Sequence, residues 1–122
     1  LKCPSGAPLV QHSLNVMLEY YKKGKISLEK IVEKMCHNPA ILFEIEKRGF
    51  IKEGYKADLV LVDLNKEYTV SKENILYKCG WSPLENETFH SEISHTFVNG
   101  FLAFENGKVS SEKHAERLQF DR

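Results

Sequence analysis

Histidine side chains are the first candidates for chemistry in this chain of 122 residues. Imidazole binds divalent metals, and a metal-bound water loses its proton near neutral pH and becomes a nucleophile. The histidines are spread along the sequence at His12, His37, His90, His95 and His114. None forms a His-x-His pair or a His-Glu-x-x-His helix motif. We therefore expect this chain to bind no metal on its own.

A serine and histidine pair is a second kind of chemistry to consider, because Ser13 directly follows His12. The two residues lie in a segment with helical periodicity, where neighbouring side chains point about 100° apart. A nucleophilic serine also needs a base oriented by a third group, and the sequence places no carboxylate for that purpose. We expect both residues to serve capping and packing.

Two carboxylates, Asp58 and Asp63, bound an apolar run. As the ends of one strand they lie roughly 16 Å apart, too far for a cooperating acid and base. We expect Asp58 to anchor the turn that begins at Gly54.

The loop from Cys3 to Pro8, Cys-Pro-Ser-Gly-Ala-Pro, precedes the first helix. Its small side chains leave backbone N–H groups accessible, and a helix N-terminus favours negative charge. From the residues alone, the loop is either a simple helix lead-in or a contact for an anionic or carbonyl-rich ligand.

Helical periodicity covers the first 50 residues. Apolar residues on one face predict a helix from Pro8 to Tyr21, closed by Gly24. A second helix is capped by Ser27 and ends near His37. A third restarts at Asn38-Pro39 and stops at Gly49. The residues expected to face inward are Val10, Leu14, Met17, Leu18, Tyr21, Leu28, Ile31, Val32, Met35, Ile41, Leu42 and Ile45.

Strand patterns follow Gly54. Leu59 to Val62 is a continuous β-prone run, as expected for a strand covered on both faces, although a short buried helix fits the same pattern. Residues 65–92 predict long loops with short strands at 67–70 and 75–77 and a turn at 80–83. A hairpin is predicted from 93–98 and 101–105 around Asn99-Gly100. Asn106-Gly107 is a second turn, and residues 110–120 form a polar tail or a short helix.

Composition excludes several classes of protein. There are 17 basic and 17 acidic residues and a net charge of zero, which argues against nucleic-acid binding. No apolar run approaches the ~20 residues that cross a bilayer. Three separated cysteines, Cys3, Cys36 and Cys79, predict no disulfide framework. We expect a soluble, cytoplasmic protein without a membrane partner, and a start within a longer polypeptide.

Five segments together resemble dihydroorotase, a cyclic amidohydrolase. The exit motif from Gly54 to Asp63 and Asn38-Pro39-Ala40 is similar to the passage from barrel to sandwich in the whole superfamily. Segments 4–12 and 78–83, the latter with its Gly-Trp-Ser-Pro sequence, sharpen the resemblance to dihydroorotase, and segment 95–100 is similar to a C-terminal segment of the same family. Asn86 stands where that family usually has a glycine.

The resemblance implies an α+β fragment. Residues 1–50 would be the last loop and helices of a TIM-type (β/α)8 barrel, and residues 51–110 the C-terminal part of a β-sandwich. Residues 111–122 would be a C-terminal tail or short helix.

It also implies an activity for the parent protein: zinc-dependent, reversible hydrolysis of the cyclic amide of (S)-dihydroorotate to N-carbamoyl-L-aspartate in pyrimidine biosynthesis. The zinc and its ligands would belong to sequence upstream of Leu1, so this chain alone would be inactive. Ser5 and Gly6 align with the two positions whose backbone contacts the substrate. The only partner implied is that small molecule, and a homo-oligomer is left open.

Two alternatives stay open. Another cyclic amidohydrolase, of the dihydropyrimidinase or allantoinase type, shares the exit motif. A non-catalytic dihydroorotase homologue that stabilises another enzyme as a partner subunit would share all five segments. Either way, we expect apolar surface exposed where the rest of the parent would pack.

Overall fold

The structure is a computed structural model that describes residues 6–112 and 114–121. It is a small mixed structure in which a helical half precedes a sheet half. The helical segments are a 3-10 turn Val10–His12, α1 (Ser13–Lys22), α2 (Leu28–Val32), a π-helical turn Glu33–His37 and α3 (Asn38–Leu42). The strands are β1 (Leu59–Asp63), β2 (Tyr68–Thr69), β3 (Thr88–Phe89), β4 (Glu92–Val98), β5 (Phe101–Glu105) and β6 (Lys108–Val109).

The end of the first helix and the start of the second follow the sequence prediction, whereas helical structure begins at Val10 and not at Pro8. Gly24 has φ +67°, and its N–H donates to the Tyr21 carbonyl at 2.8 Å, which closes α1 as a left-handed cap. The Ser27 hydroxyl accepts from the Lys30 N–H at 3.2 Å and caps α2.

The inward face of α1 is rotated from the predicted one. Val10, expected inside, is 86% exposed, whereas His12, Asn15 and Leu18 are buried at the spacing i, i+3, i+6. The shift arises because His12 and Asn15 bond to groups on distant segments, which apolar periodicity does not register.

The predicted restart at Asn38 is wrong, because the helix runs on from α2 through the π turn into α3. Asn38 has helical angles, and its N–H donates to the Glu33 carbonyl five residues back. Pro39 has no N–H and so cannot donate the usual backbone hydrogen bond to the carbonyl four residues back. The wider π turn just before Pro39 keeps the chain helical at this point. The helix ends at Leu42, not Gly49, and Ile41 and Leu42 are 63% and 75% exposed, not inward.

One antiparallel sheet has the order β1-β4-β5-β6. The predicted hairpin is confirmed: Asn99 and Gly100 have φ of +54° and +85°, as a type I′ turn requires, and Val98 pairs with Phe101. Asn106 and Gly107 form a second such turn into β6.

Strand β1 is confirmed as a strand, but not as one covered on both faces. Leu59, Val60 and Leu61 are all exposed, Leu61 by 49%. In the described part of the chain β1 has one neighbour, β4, so its outer edge is open.

Strands β2 and β3 form a separate pair, with Tyr68 opposite Phe89 and Thr69 opposite Thr88. The predicted strand at 67–70 is thus confirmed in its centre, while residues 75–77 are not a strand. Asn86, in the turn before β3, has φ +71°, which asparagine tolerates better than most residues other than glycine.

The buried apolar side chains are few and are spread over the helices and the β2–β3 region. They are Leu18, Ile31, Ala40, Val70 and Phe89. Among the described residues at the end of the chain, 114–121 contain no helix, and Phe120 pairs with Ile45 in a single antiparallel bridge. No helix in the described ranges is long and apolar enough to span a membrane.

Candidate functional site

The predicted substrate-contacting residues are Ser5 and Gly6. Ser5 lies outside the described residues, as do Cys3 and Pro4. Gly6 is exposed, and a Cβ built on it would have no atom within 4 Å. The surface around Gly6 is therefore open in this chain, and the substrate contact stays a prediction.

His12 is the most deeply placed titratable side chain, with 1% of its surface exposed. Its Nε2 lies 3.4 Å from the Tyr68 hydroxyl, and the ring is surrounded by those of Tyr68, Tyr77 and Phe89 at 5.9–6.3 Å. Ser13 does not reach it, because the Ser13 hydroxyl donates to the Val10 carbonyl at 3.1 Å. The two neighbouring side chains therefore have different partners.

Burial sets the protonation of this cluster. It lowers the pKa of His12 below its ordinary 6.5, because the charged imidazolium loses hydration. It also raises the pKa of Tyr68 above 10.0, against a smaller lowering by a hydrogen bond from Gln11. Both groups are therefore neutral at neutral pH, and the pair is suited to fixing the β2 strand against the start of α1.

Gln11 makes a further set of bonds that sequence reasoning missed. Its side-chain N–H donates to the Asn74 carbonyl at 2.8 Å, and its side-chain oxygen accepts from the Leu76 N–H at 2.9 Å. The backbone N–H of Gln11 donates to the Tyr77 hydroxyl at 2.7 Å. These bonds hold residues 74–77 against Gln11, although none of the four lies in a strand. The two bonds to backbone need no particular residue type in that loop, so the sequence carries little signal of them.

A cavity of about 370 Å³ lies beside this cluster, between the start of α1 and one face of the sheet. Its mostly apolar walls include Asn15, Leu76, Ile93, Ala103, Phe104 and Val109. Asn15 is held at the edge by a 3.1 Å bond from its side-chain N–H to the Ser91 carbonyl. His12, Tyr68 and Glu92 also line this cavity. The His12 Nδ1 has no hydrogen-bond partner among the described residues, whereas the Glu92 carboxylate pairs with Lys66.

Asp58 anchors a different turn from the predicted one. One oxygen accepts from the Asn99 N–H at 2.8 Å, and the other pairs with Arg48, so Asp58 holds the β4–β5 turn rather than the turn at Gly54. Arg48 also donates to the Asn99 side-chain oxygen at 2.6 Å. Asp63 accepts from the Asn65 N–H at 2.8 Å and caps a local turn. Neither carboxylate is arranged for catalysis.

The other histidines have separate partners. His90 lies against Glu19, His95 against Glu105, and His37 stacks on Phe50 with ring centroids 4.3 Å apart. Within residues 6–112 and 114–121, no three histidine, cysteine, aspartate or glutamate residues lie close enough together to hold a metal ion. The residues described here therefore do not fit a zinc centre.

Comparison with known proteins settles the lineage that this geometry leaves open. The model of the amidohydrolase family matches residues 6–103, most of the chain. The chain belongs to the amidohydrolase family. A dihydroorotase from Pyrococcus furiosus is 33% identical over 93% of this chain, and an allantoinase from Desulfitobacterium hafniense is 32% identical over the same share.

The structural neighbours of this amidohydrolase chain agree. An L-hydantoinase (dihydropyrimidinase) from Arthrobacter aurescens superimposes with a TM-score of 0.81, at 34% identity over 91% of this chain. The chain spans only about a quarter of these proteins: 27% of the dihydroorotase, 26% of the allantoinase and 25% of the hydantoinase. The fold is therefore that of one portion of a larger amidohydrolase.

Proposed function

We propose that this chain is the C-terminal part of a dihydroorotase. The observation that carries the proposal is the match to dihydroorotases over 93% of the chain but only 27% of their length. The parent would hydrolyse the cyclic amide of (S)-dihydroorotate reversibly to N-carbamoyl-L-aspartate in pyrimidine biosynthesis, as a cytoplasmic enzyme.

In this proposal residues 1–50 complete a (β/α)8 barrel and residues 51–110 belong to a β-sandwich. Two exposed apolar faces support that division. Ile41, Leu42 and Phe43 are exposed at the end of α3, and Leu59 to Leu61 are exposed along β1. Apolar surface of this kind marks contact regions, and the remaining three quarters of the parent would cover it.

The proposed contribution to the reaction is one wall of the substrate site. Backbone groups at Ser5 and Gly6 would contact the pyrimidine ring, and the exposed, uncrowded Gly6 is compatible with close approach of a ligand. Zinc, which would supply an activated water, would be held by the rest of the parent, because the described residues do not form its ligand set. This chain alone would then be inactive.

The hydantoinase and allantoinase matches favour a second candidate, since their identities of 34% and 32% differ little from the 33% of the dihydroorotase. A direct test is to express the complete parent gene with zinc and assay dihydroorotate, allantoin and a dihydropyrimidine. Selective turnover of dihydroorotate supports the proposal, and selective turnover of either other substrate replaces it with the second candidate. A parent that turns over none and binds no zinc would be a non-catalytic homologue, a partner subunit.

A control experiment tests whether the catalytic groups lie outside this chain, in the rest of the parent. The 122-residue chain is assayed with zinc beside the parent at equal molarity. Turnover of dihydroorotate by the chain at a rate like that of the parent would show that the catalytic groups lie within these residues, contrary to the proposal.

A further inference from the structure

The segment from Glu44 to Arg48 joins the helical half to the sheet half in an irregular conformation. Glu44 and Lys47 have φ of +54° and +52°, a left-handed backbone that residues other than glycine and asparagine rarely adopt. Such a conformation persists only where surrounding groups hold it. The question is which groups do so here.

The end of the chain supplies backbone partners at one side of this segment. The Glu46 N–H donates to the Gln119 carbonyl at 3.0 Å, and the Asp121 N–H donates to the Glu44 carbonyl at 2.9 Å. Between these bonds Ile45 and Phe120 pair as in an antiparallel ladder. Residues 119–121 thus act as a short extra strand laid along the joining segment.

The same terminal segment is fixed at its other end to the sheet. The His114 ring stacks on Phe101 with centroids 3.7 Å apart and planes 10° from parallel. The His114 carbonyl accepts from the Asn99 side-chain N–H at 2.6 Å. Midway between the two ends, Lys56 pairs with Glu116 at 2.6 Å.

We propose that residues 114–121 form a strap that holds the joining segment, and with it the helical half, against the β4–β5 turn. One end of the strap lies on the helical half and the other on the sheet half, with the half-exposed Lys56–Glu116 ion pair between them. We expect the two ends to act as one cooperative unit, because release of one end leaves the chain that leads to the other less restrained. This inference does not depend on the proposed enzymatic function.

Hydrogen exchange on the intact chain tests the coupling. His114→Ala removes the ring stack on Phe101. The substituted residue is distant in sequence from both Glu46 and Asp121, whose amides are measured. We expect exchange at both amides to rise about three- to tenfold. Exchange at the Val70 amide, which donates to the Glu87 carbonyl at 2.9 Å away from the strap, should stay unchanged. Arg117→Ala, an exposed change within the same strap, is the matched control and should leave all three amides unaffected.

Two results would overturn the strap. If His114→Ala leaves the Glu46 and Asp121 amides unchanged, the two ends are independent contacts. If it speeds the Val70 amide equally, His114 supports the whole fold rather than a strap.

A second variant keeps the test decisive if His114→Ala fails to fold. Glu116→Gln alters a half-exposed position and removes the ion pair with Lys56. We expect the exchange rates of the Glu46 and Asp121 amides to rise by a smaller factor, up to about threefold. High salt, which screens the ion pair, should raise these rates in the wild type by a similar factor. No rise at either amide would contradict the strap.

Discussion

Gly49 offers a sharp test of how the joining segment returns to the helix. Its φ is +79°, and a Cβ built on it would lie 2.5 Å from the Ala40 Cβ and 2.7 Å from the Cys36 carbonyl oxygen. Ala40 is buried and the other clash is with backbone, so neither group can move aside easily. Because glycine has no side chain, the backbone at Gly49 can pass this close to Cys36 and Ala40 on the helix.

The expected cost of Gly49→Ala has two parts. A left-handed backbone costs an L-residue about 1–2 kcal/mol, and overpacking at a tight site adds about 1–3 kcal/mol. We therefore expect Gly49→Ala to lower the free energy of unfolding by about 2–5 kcal/mol. Urea unfolding followed by circular dichroism measures this directly.

Gly54→Ala is the matched control. Gly54 has the same φ of +79°, but a Cβ there would have no atom within 4 Å. It carries only the backbone cost, so the two variants should differ by the overpacking of about 1–3 kcal/mol. Equal destabilisation by the two substitutions would refute the close contact between Gly49 and the helix.

Two further predictions concern the bonds of α1 to the sheet half. Asn15→Ala leaves the buried Ser91 carbonyl without its donor and should lower the free energy of unfolding by about 1–3 kcal/mol in the same urea assay; an unchanged midpoint would contradict that bond. Burial raises the pKa of Glu19, but hydrogen bonds and charge from His90 outweigh it, so the net pKa lies below the ordinary 4.5. The ionised Glu19 carboxylate therefore stabilises the fold above pH 4.5, and this contribution is lost as the pH falls through the pKa of the folded state. We expect the wild type to be more stable than Glu19→Gln above pH 4.5 and to lose that advantage on acidification below it. A difference in the free energy of unfolding that stays constant across this range would contradict the prediction.

Local features were predictable from the sequence because their causes are local. Asn99-Gly100 specifies a type I′ turn by its backbone preferences, and Ser27 and Gly24 mark helix ends through bonds to residues three positions away. The family likewise follows from contiguous segments, such as Gly54 to Asp63.

Features that depend on distant partners were missed. The buried face of α1 includes His12 because Tyr68, 56 residues later, lies beside it. The pairing of β2 with β3 crosses about twenty residues without regular structure, and no periodicity reports it. Asp58 is assigned to the wrong turn because its partner, Asn99, is 41 residues away.

The polar contacts of Asn99 also affect how fast this residue deamidates. Asparagine followed by glycine is prone to deamidation, in which the glycine nitrogen attacks the asparagine amide carbon. At Asn99 both side-chain atoms are bound, and the Gly100 N–H donates to the Ala57 carbonyl at 2.9 Å, so the attacking geometry is hindered. Asn106-Gly107 has the same chemistry without a side-chain partner among the described residues. Slow chemical damage should therefore begin at the turn between β5 and β6 and spare the turn between β4 and β5.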